Sequence, residues 1–467
     1  FLGYLTGYTN QTGSNNVAIG NMAGYNGTTA SSNVFLGDSA GYGNTNSFNV
    51  FLGKGTGKTN TGQYNSFVGY QAGMKNTSGS GNVYMGYKAG YSNLTGSGNV
   101  VIGNQAGFNG ASGVNNTILG YETGYGGQGN NNVLLGYQTA HDGAGLYNVM
   151  IGYQAGYTNK SSQNTFVGFE AGKNSTGSYN VLLGYQSGYR VGGNQNYIIG
   201  YQAGYNNTSG SRNVFIGDST GFSNNGSRNV IIGNQAGKLS SSSYNTFIGT
   251  EAGYQCSSVW NVFIGNRAGK NLTSSNNSVI IGSDAAANAT GGNYNVIIGR
   301  DAGNYIGSSN NILIGYNTGK SSSLGSSNTL IGNSCGSSSA GSNNIFIGSG
   351  TGSSATGSNN IFIGNGTDAT STESYNLVIN NGNSPSPLIF GNLSTRRLVI
   401  YGRDAQNPNN RTFYVNGSAG GDYAWYNDSD ARLKTDIATI DNPLEKVLNL
   451  RGVNFSWKEP AEGMEGR

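Results

Sequence analysis

The chain has 467 residues, of which only 9 % are charged, with a formal net charge of +4 and glycine at 81 positions. A typical globular protein carries about a quarter charged residues, so this is no string of ordinary domains, and the balance gives no polyanion-binding surface. One histidine, His141, excludes chemistry that needs two imidazoles, and two cysteines, Cys256 and Cys335, exclude a disulfide scaffold and a cysteine-based metal site. No apolar run nears the ~18 residues that cross a bilayer.

From the first residue the chain repeats itself. A block read as Asn-Val-Phe-Ile-Gly closes at Gly3, Gly20, Gly37, Gly53, Gly69 and onward to Gly364, giving 23 copies spaced 16 or 17 residues apart. A second glycine follows four residues later in 20 of them, the exceptions being Ala140, Ala286 and Asp368. Proline is absent before Pro385. A period this short, with one β-rich block and no room for a helix, predicts one turn of a β-solenoid. The two glycines mark corners that need positive φ. The asparagine four residues before the closing glycine is kept in 21 of 22 complete copies, Ser278 being the exception. Stacked, these side chains predict an amide ladder.

The strand block carries the decisive pattern. Side chains alternate faces along a strand, so its first and third residues share one face and its middle residue the other. The third column (Ile19, Leu36, Leu52, Val68, Met85) is aliphatic, the first mostly Val or Thr, and the middle also apolar: Ala18, Phe35, Phe51, Phe67, Tyr84 and on to Phe362. A strand apolar on both faces is buried on both. A solenoid has one interior, so the other face needs an external cover. At about 4.8 Å per turn the stripe runs on the order of 100 Å, beyond what monomers expose. Another copy of the chain is the simplest cover, which predicts a cyclic homo-oligomer around a long axis.

Asn-Asn-Val-Ala-Ile-Gly at 15–20 and its variants resemble the head repeats of trimeric autotransporter adhesins. The resemblance covers residues 1–368, with a longer period here than in that family. It implies a left-handed parallel β-roll in which three chains bury their roll faces together.

After residue 368 the composition changes: the last 99 residues hold 10 basic and 11 acidic side chains, against 14 and 9 in all the residues before them. Between 369 and 428 strand-like pieces at 377–379, 388–390, 398–401 and 412–415 are separated by Pro385, Pro387 and Pro408, which predicts a β-rich connector. Further on, Asn442, Pro443 and Glu445 form a capping-box start for a helix with Leu444, Val447 and Leu448 on its apolar face and Gly452 at its end. Val453, Phe455 and Trp457 then alternate as a strand does.

Ser429-Asp430-x-Arg432-Leu433-Lys434, Ile437, the stretch 444–447 and the Val-x-Phe-x-Trp ending are similar to the start of the intramolecular chaperone of endosialidase, a C-terminal domain of phage tail fibres, tailspikes and related trimeric surface proteins. Phe413 to Gly417 and Trp425 suit that family's upstream connector. The resemblance implies a domain, 429–467 here, that assembles three chains, folds the fibre and then cuts itself off. Carried over by position, Ser429 is the nucleophile and Lys434 its base, cleaving Asp428–Ser429; a lysine with a lowered pKa can activate a serine without histidine. The family domain is longer than this segment, so further chain is expected beyond it. Phe1 lies inside a repeat, so an attachment region is expected before it.

The remaining candidates read as architecture. Tyrosines follow the closing glycine (Tyr70, Tyr87, Tyr121, Tyr137, Tyr153, Tyr185, Tyr201) and the second glycine (Tyr91, Tyr125, Tyr157, Tyr189, Tyr205), a pattern that favours packing between turns over sugar stacking. Glycoside hydrolysis needs two carboxylates within about 5–10 Å, and only Glu122 with Asp142, next to His141, come near one another in the repeat register. Cys256 and Cys335 lie five turns apart, roughly 24 Å, too far for a disulfide. No metal or other cofactor is expected. The expectation is an all-β protein: a parallel β-solenoid of 23 turns in a trimeric fibre, a β connector, and the start of an α+β chaperone domain. Its expected role is structural and adhesive, extracellular on a virion tail or cell surface, with itself and a host glycan or protein receptor as partners, and with neither nucleic-acid binding nor membrane insertion. The alternative is a polysaccharide depolymerase with sites between subunits.

Overall fold

The computed structural model describes residues 1–404 except Ser322 and Ala369, together with 412–415 and Glu445. The chain divides into two units, Phe1–Asn416 and Gly417–Arg467. The first is a parallel β-solenoid. Strands β1 (Val17–Ile19) to β22 (Ile361–Ile363) are each three residues long, and each pairs in parallel with the next in one unshifted register. Equal rungs follow from equal repeats, because the 16- and 17-residue periods place the extra residue in the loop rather than in the strand.

The strand pattern resolves which face lies inside. In every rung the middle residue is buried and its two neighbours face outward. Phe35, Phe51, Phe67 and Tyr84 form a continuous stack inside the rod, with ring centroids 5.3, 4.9 and 4.6 Å apart. Small residues such as Ala72, Ala89 and Ala106 complete the core. Burial raises the Tyr84 phenol well above the usual tyrosine range.

Both glycine columns are dictated by space as well as by φ. Gly20 has φ +134°, and a Cβ there would lie 2.5 Å from the carbonyl oxygen of Gly37. Gly73 has φ +57°, and its Cβ would lie 2.5 Å from the Phe67 ring. In most turns two further positions are left-handed without glycine, for example Tyr64 (φ 60°) and Gln71 (φ 56°). Among the described residues, none of the non-glycine residues held at positive φ is Val, Ile or Thr, the types for which that region is least accessible.

The asparagine column forms the expected ladder, buried within the wall. The Asn213 backbone N–H donates to Asn196 Oδ1 at 3.0 Å, and Asn213 Oδ1 accepts from the Asn229 N–H at 2.9 Å. Its Nδ2 donates to Gly226 O at 2.9 Å. Where Ser278 interrupts the column, its hydroxyl oxygen still accepts from the Asn295 N–H at 3.1 Å.

The stack has one rung more than the sequence blocks. β23 (Asn376–Ile379) adds to β22 in parallel, and the Asn376 N–H donates to Asn360 Oδ1 at 2.8 Å, but Asn380 stands where the closing glycine would be. The direction of pairing then changes. β24 (Ile389–Asn392) runs antiparallel to β23, β25 (Arg397–Ile400) antiparallel to β24, and β26 (Phe413–Val415) parallel to β25. A parallel stack leaves its last strand with an unpaired edge, and this short antiparallel turn-back covers that of β23.

Candidate functional site

Three surface features result from this fold. The first is the outer face of the strands. Val17 is 50 % exposed, Leu36 47 % and Met85 45 %, and the same columns continue to Ile345 and Ile347. Two adjoining columns, one mostly Val or Thr and the other Ile, Leu, Val or Met, thus stay half-buried or exposed along the solenoid of a single chain. This is the second face of the doubly apolar strand.

The second feature is a trough beside the closing glycines. The residues one, two and five places after each of these glycines lie side by side. At one rung the Lys88 ammonium sits between the Tyr87 and Tyr91 rings, 5.2 and 5.7 Å from their centroids. One wall is the stacked series Tyr121, Tyr137, Tyr153, Phe169, Tyr185 and Tyr201, with centroids 4.9–5.2 Å apart. The other includes Tyr125, His141 and Tyr157, and later Tyr189, Tyr205 and Phe222. Between them runs a second amide ladder. Gln138 Nε2 donates to Glu122 Oε2 at 2.9 Å and Gln154 Nε2 to Gln138 Oε1 at 2.7 Å. Gln186 Nε2 donates to Glu170 Oε2 at 2.7 Å and Gln202 Nε2 to Gln186 Oε1 at 2.8 Å.

Most carboxylates of the trough columns have a basic side chain beside them. Glu122 and Asp142 are brought together, as their spacing suggested, but by His141: its Nδ1 lies 2.9 Å from Asp142 Oδ1 and its Nε2 3.7 Å from Glu122 Oε2. Lys173 lies 2.6 Å from Glu170, Arg267 2.6 Å from Asp284, and Lys270 2.7 Å from Glu251. The bond from Arg267 holds the Asp284 carboxyl below its usual range. Partial burial raises the Glu170 carboxyl, but the bonds from Lys173 and Gln186 outweigh it and the net shift is downward. For Asp284 and Glu170 the direction is thus opposite to the raised carboxyl of a general acid.

The third feature is the C-terminal end of the stack. Asp368 occupies a second-glycine corner at φ 43°, is 3 % exposed, and pairs with the Arg403 guanidinium. Asp404 pairs with Arg397 at 3.3 Å. Sequence spacing gave no sign of either pair, because both depend on the antiparallel return of β24 and β25.

Cys256 and Cys335 are buried free thiols. Among the described residues no three His, Cys, Asp or Glu side chains are grouped to hold a metal ion. Ser429, Lys434, the Asp428–Ser429 bond and the helix from Asn442 lie outside the described residues, apart from Glu445.

Residues 429–467 match the family described as chaperone of endosialidase, peptidase family S74. The chain is a β-solenoid with an endosialidase-type chaperone segment. No curated protein and no solved structure matches it. The family match begins at Ser429 itself, the residue to which the sequence resemblance assigns the nucleophile.

Proposed function

We propose that the chain is one strand of a homotrimeric, rod-like fibre of the phage tail-fibre or surface-adhesin type, extracellular on a virion or cell surface. The observation that carries this is the outer strand face, two largely apolar columns wide and half-buried or exposed from Val17 to Ile363. At about 25 cal/mol per Å², leaving such a stripe in water forgoes a large stabilisation that a closed cyclic assembly recovers with identical rungs in register. The chaperone segment supports the same reading, since the resemblance implies assembly of three chains. The rod would hold or form a receptor-binding surface. Size-exclusion chromatography with light scattering is expected to give three chains per particle, and a stable, soluble monomer removes the reading.

Within the chaperone segment, Ser429 Oγ would attack the Asp428 carbonyl carbon while Lys434 accepts the hydroxyl proton. The Asp428–Ser429 C–N bond breaks, the proton passes to the freed amine, and water hydrolyses the resulting ester. The expected product is a fragment beginning at Ser429, detected by intact-mass measurement and missing from Ser429→Ala. The depolymerase alternative needs carboxylates contributed by adjacent chains; within one chain, Glu122 and Asp142 flank His141, and Asp284, which shares a pocket with Asp301, is held by Arg267.

A further inference from the structure

The trough spanning residues 121–205 has a chemistry that the outer strand face lacks. We propose that it is a binding site for an extended, neutral polysaccharide lying along the rod axis. The inference deepens the adhesive reading, on which it rests, by giving the ligand a class and a place.

Four observations carry it. Tyr125, Tyr157, Tyr189 and Tyr205 of one wall are half-buried, whereas the other wall is aromatic and outward: Tyr121, Tyr137, Tyr153, Phe169, Tyr185 and Tyr201 are all exposed. Their rings are nearly parallel, at interplanar angles of 3–9°, with centroids near 5 Å. That separation is offset stacking, which leaves part of each ring face uncovered; the Tyr121 hydroxyl is engaged with Glu122. The floor is the amide ladder, in which each glutamine spends one N–H on the rung before it. An amide carries two N–H donors and two acceptor lone pairs, so Gln138, Gln154, Gln186 and Gln202 each keep a donor and an acceptor for a hydroxylated ligand.

Charges in the trough are few and dispersed. Glu170 pairs with Lys173, Glu122 and Asp142 lie against His141, and Arg190 packs over the Tyr189 ring. They form no continuous row of one sign for a polyanion or polycation to follow, whereas a polymer of hydroxyl groups and apolar ring faces meets a match for both along the trough. Finally, the features recur once per rung, a step of about 4.8 Å. An extended chain of pyranose rings advances by nearly the same step, so successive sugars meet successive rungs in equivalent settings. Individual contacts are then weak and their number gives the affinity, as expected of multivalent recognition.

The experiment is affinity electrophoresis of the full chain in native gels cast with dextran, mannan, galactan or β-glucan, and in parallel with hyaluronate and polylysine. Retardation by at least one neutral polymer is expected, with at least tenfold weaker apparent affinity for the triple variant Tyr137→Ser, Tyr153→Ser, Tyr185→Ser. The variant Tyr244→Ser, on a different column of the rod, is expected to match the parent. A second set, Gln138→Leu and Gln154→Leu, keeps side-chain bulk and removes the free amide groups; it is expected to weaken retardation should the tyrosine variant fail to fold. The proposal is overturned by no retardation in any neutral gel, by retardation only in charged gels, or by trough variants that migrate like the parent. Light scattering on the same samples separates the readings: a monomer that is still retarded removes the trimer and keeps the trough, while an unretarded trimer does the reverse.

Discussion

The Asp368 carboxylate and the Arg403 guanidinium form an ion pair across 35 residues of sequence, tying the last second-glycine corner of the solenoid to the segment just after β25. Asp368 stands where 20 other turns have glycine, and its burial makes it dependent on that partner.

Removing one member of a buried pair leaves an unpaired charge and costs about 3–5 kcal/mol, with the lower end apt here because Arg403 is partly exposed. Arg403→Met is expected to speed amide exchange in β23 to β25 while the mid-solenoid strands keep their protection. The double variant Arg403→Met, Asp368→Gly is expected to recover most of the loss, since glycine suits the corner and no charge remains. Equal exchange in all three proteins counts against the pair as the end closure.

The second-glycine column predicts a size rule. Gly73→Ala places a methyl group against the Phe67 ring and is expected to cost about 1–3 kcal/mol, as overpacking does. Phe67→Leu in the same chain is expected to return part of that. The two natural alanines follow the rule: Ala140 and Ala286 belong to turns whose central residues are Leu134 and Ile280. Urea denaturation of the parent and the two variants is the check.

In the wall ladder, Asn213→Ala deletes an acceptor and a donor that are both used and buried. A buried group left unsatisfied costs about 1–3 kcal/mol, so the midpoint of unfolding is expected to fall. Ser278→Asn, which completes the column, is expected to leave it unchanged or raise it. A fall in the second case would show that the gap is matched to its neighbours.

Burial pushes the Cys256 thiol up to about 11 and the Cys335 thiol up to about 12, from an ordinary value of 9.0. Both are raised, so their contribution to stability is complete below pH 9. It falls between pH 9 and each native value, because there the unfolded chain ionises its thiols and the native chain does not. Ellman's reagent at pH 8 is expected to find no fast-reacting thiol in the native protein and two per chain in guanidinium. Replacing both cysteines with alanine is expected to flatten the loss of stability above pH 9.

The repeat, the three-residue strand and the asparagine ladder were legible in the sequence because each is a column, and columns survive comparison of one turn with the next. The choice of inward face was not, since Phe51 and its neighbours Val50 and Leu52 are all apolar and only the corner geometry decides between them. The rung of β23 was hidden by one substitution, Asn380. The trough was missed for a different reason. Its three columns are separated in the repeat and are brought together by left-handed residues such as Gln71, which sequence pattern does not distinguish from other polar positions. The tyrosine columns were recognised as stacks, but the glutamines between them were not recognised as a floor.

Because every rung meets only the rung above and below, in one unshifted register, rod length is set by counting. Excision or duplication of one whole 16- or 17-residue unit leaves both new neighbours with strand, ladder and corner in matching positions. The length of the solenoid can therefore grow or shrink in discrete steps of one unit without redesigning any contact.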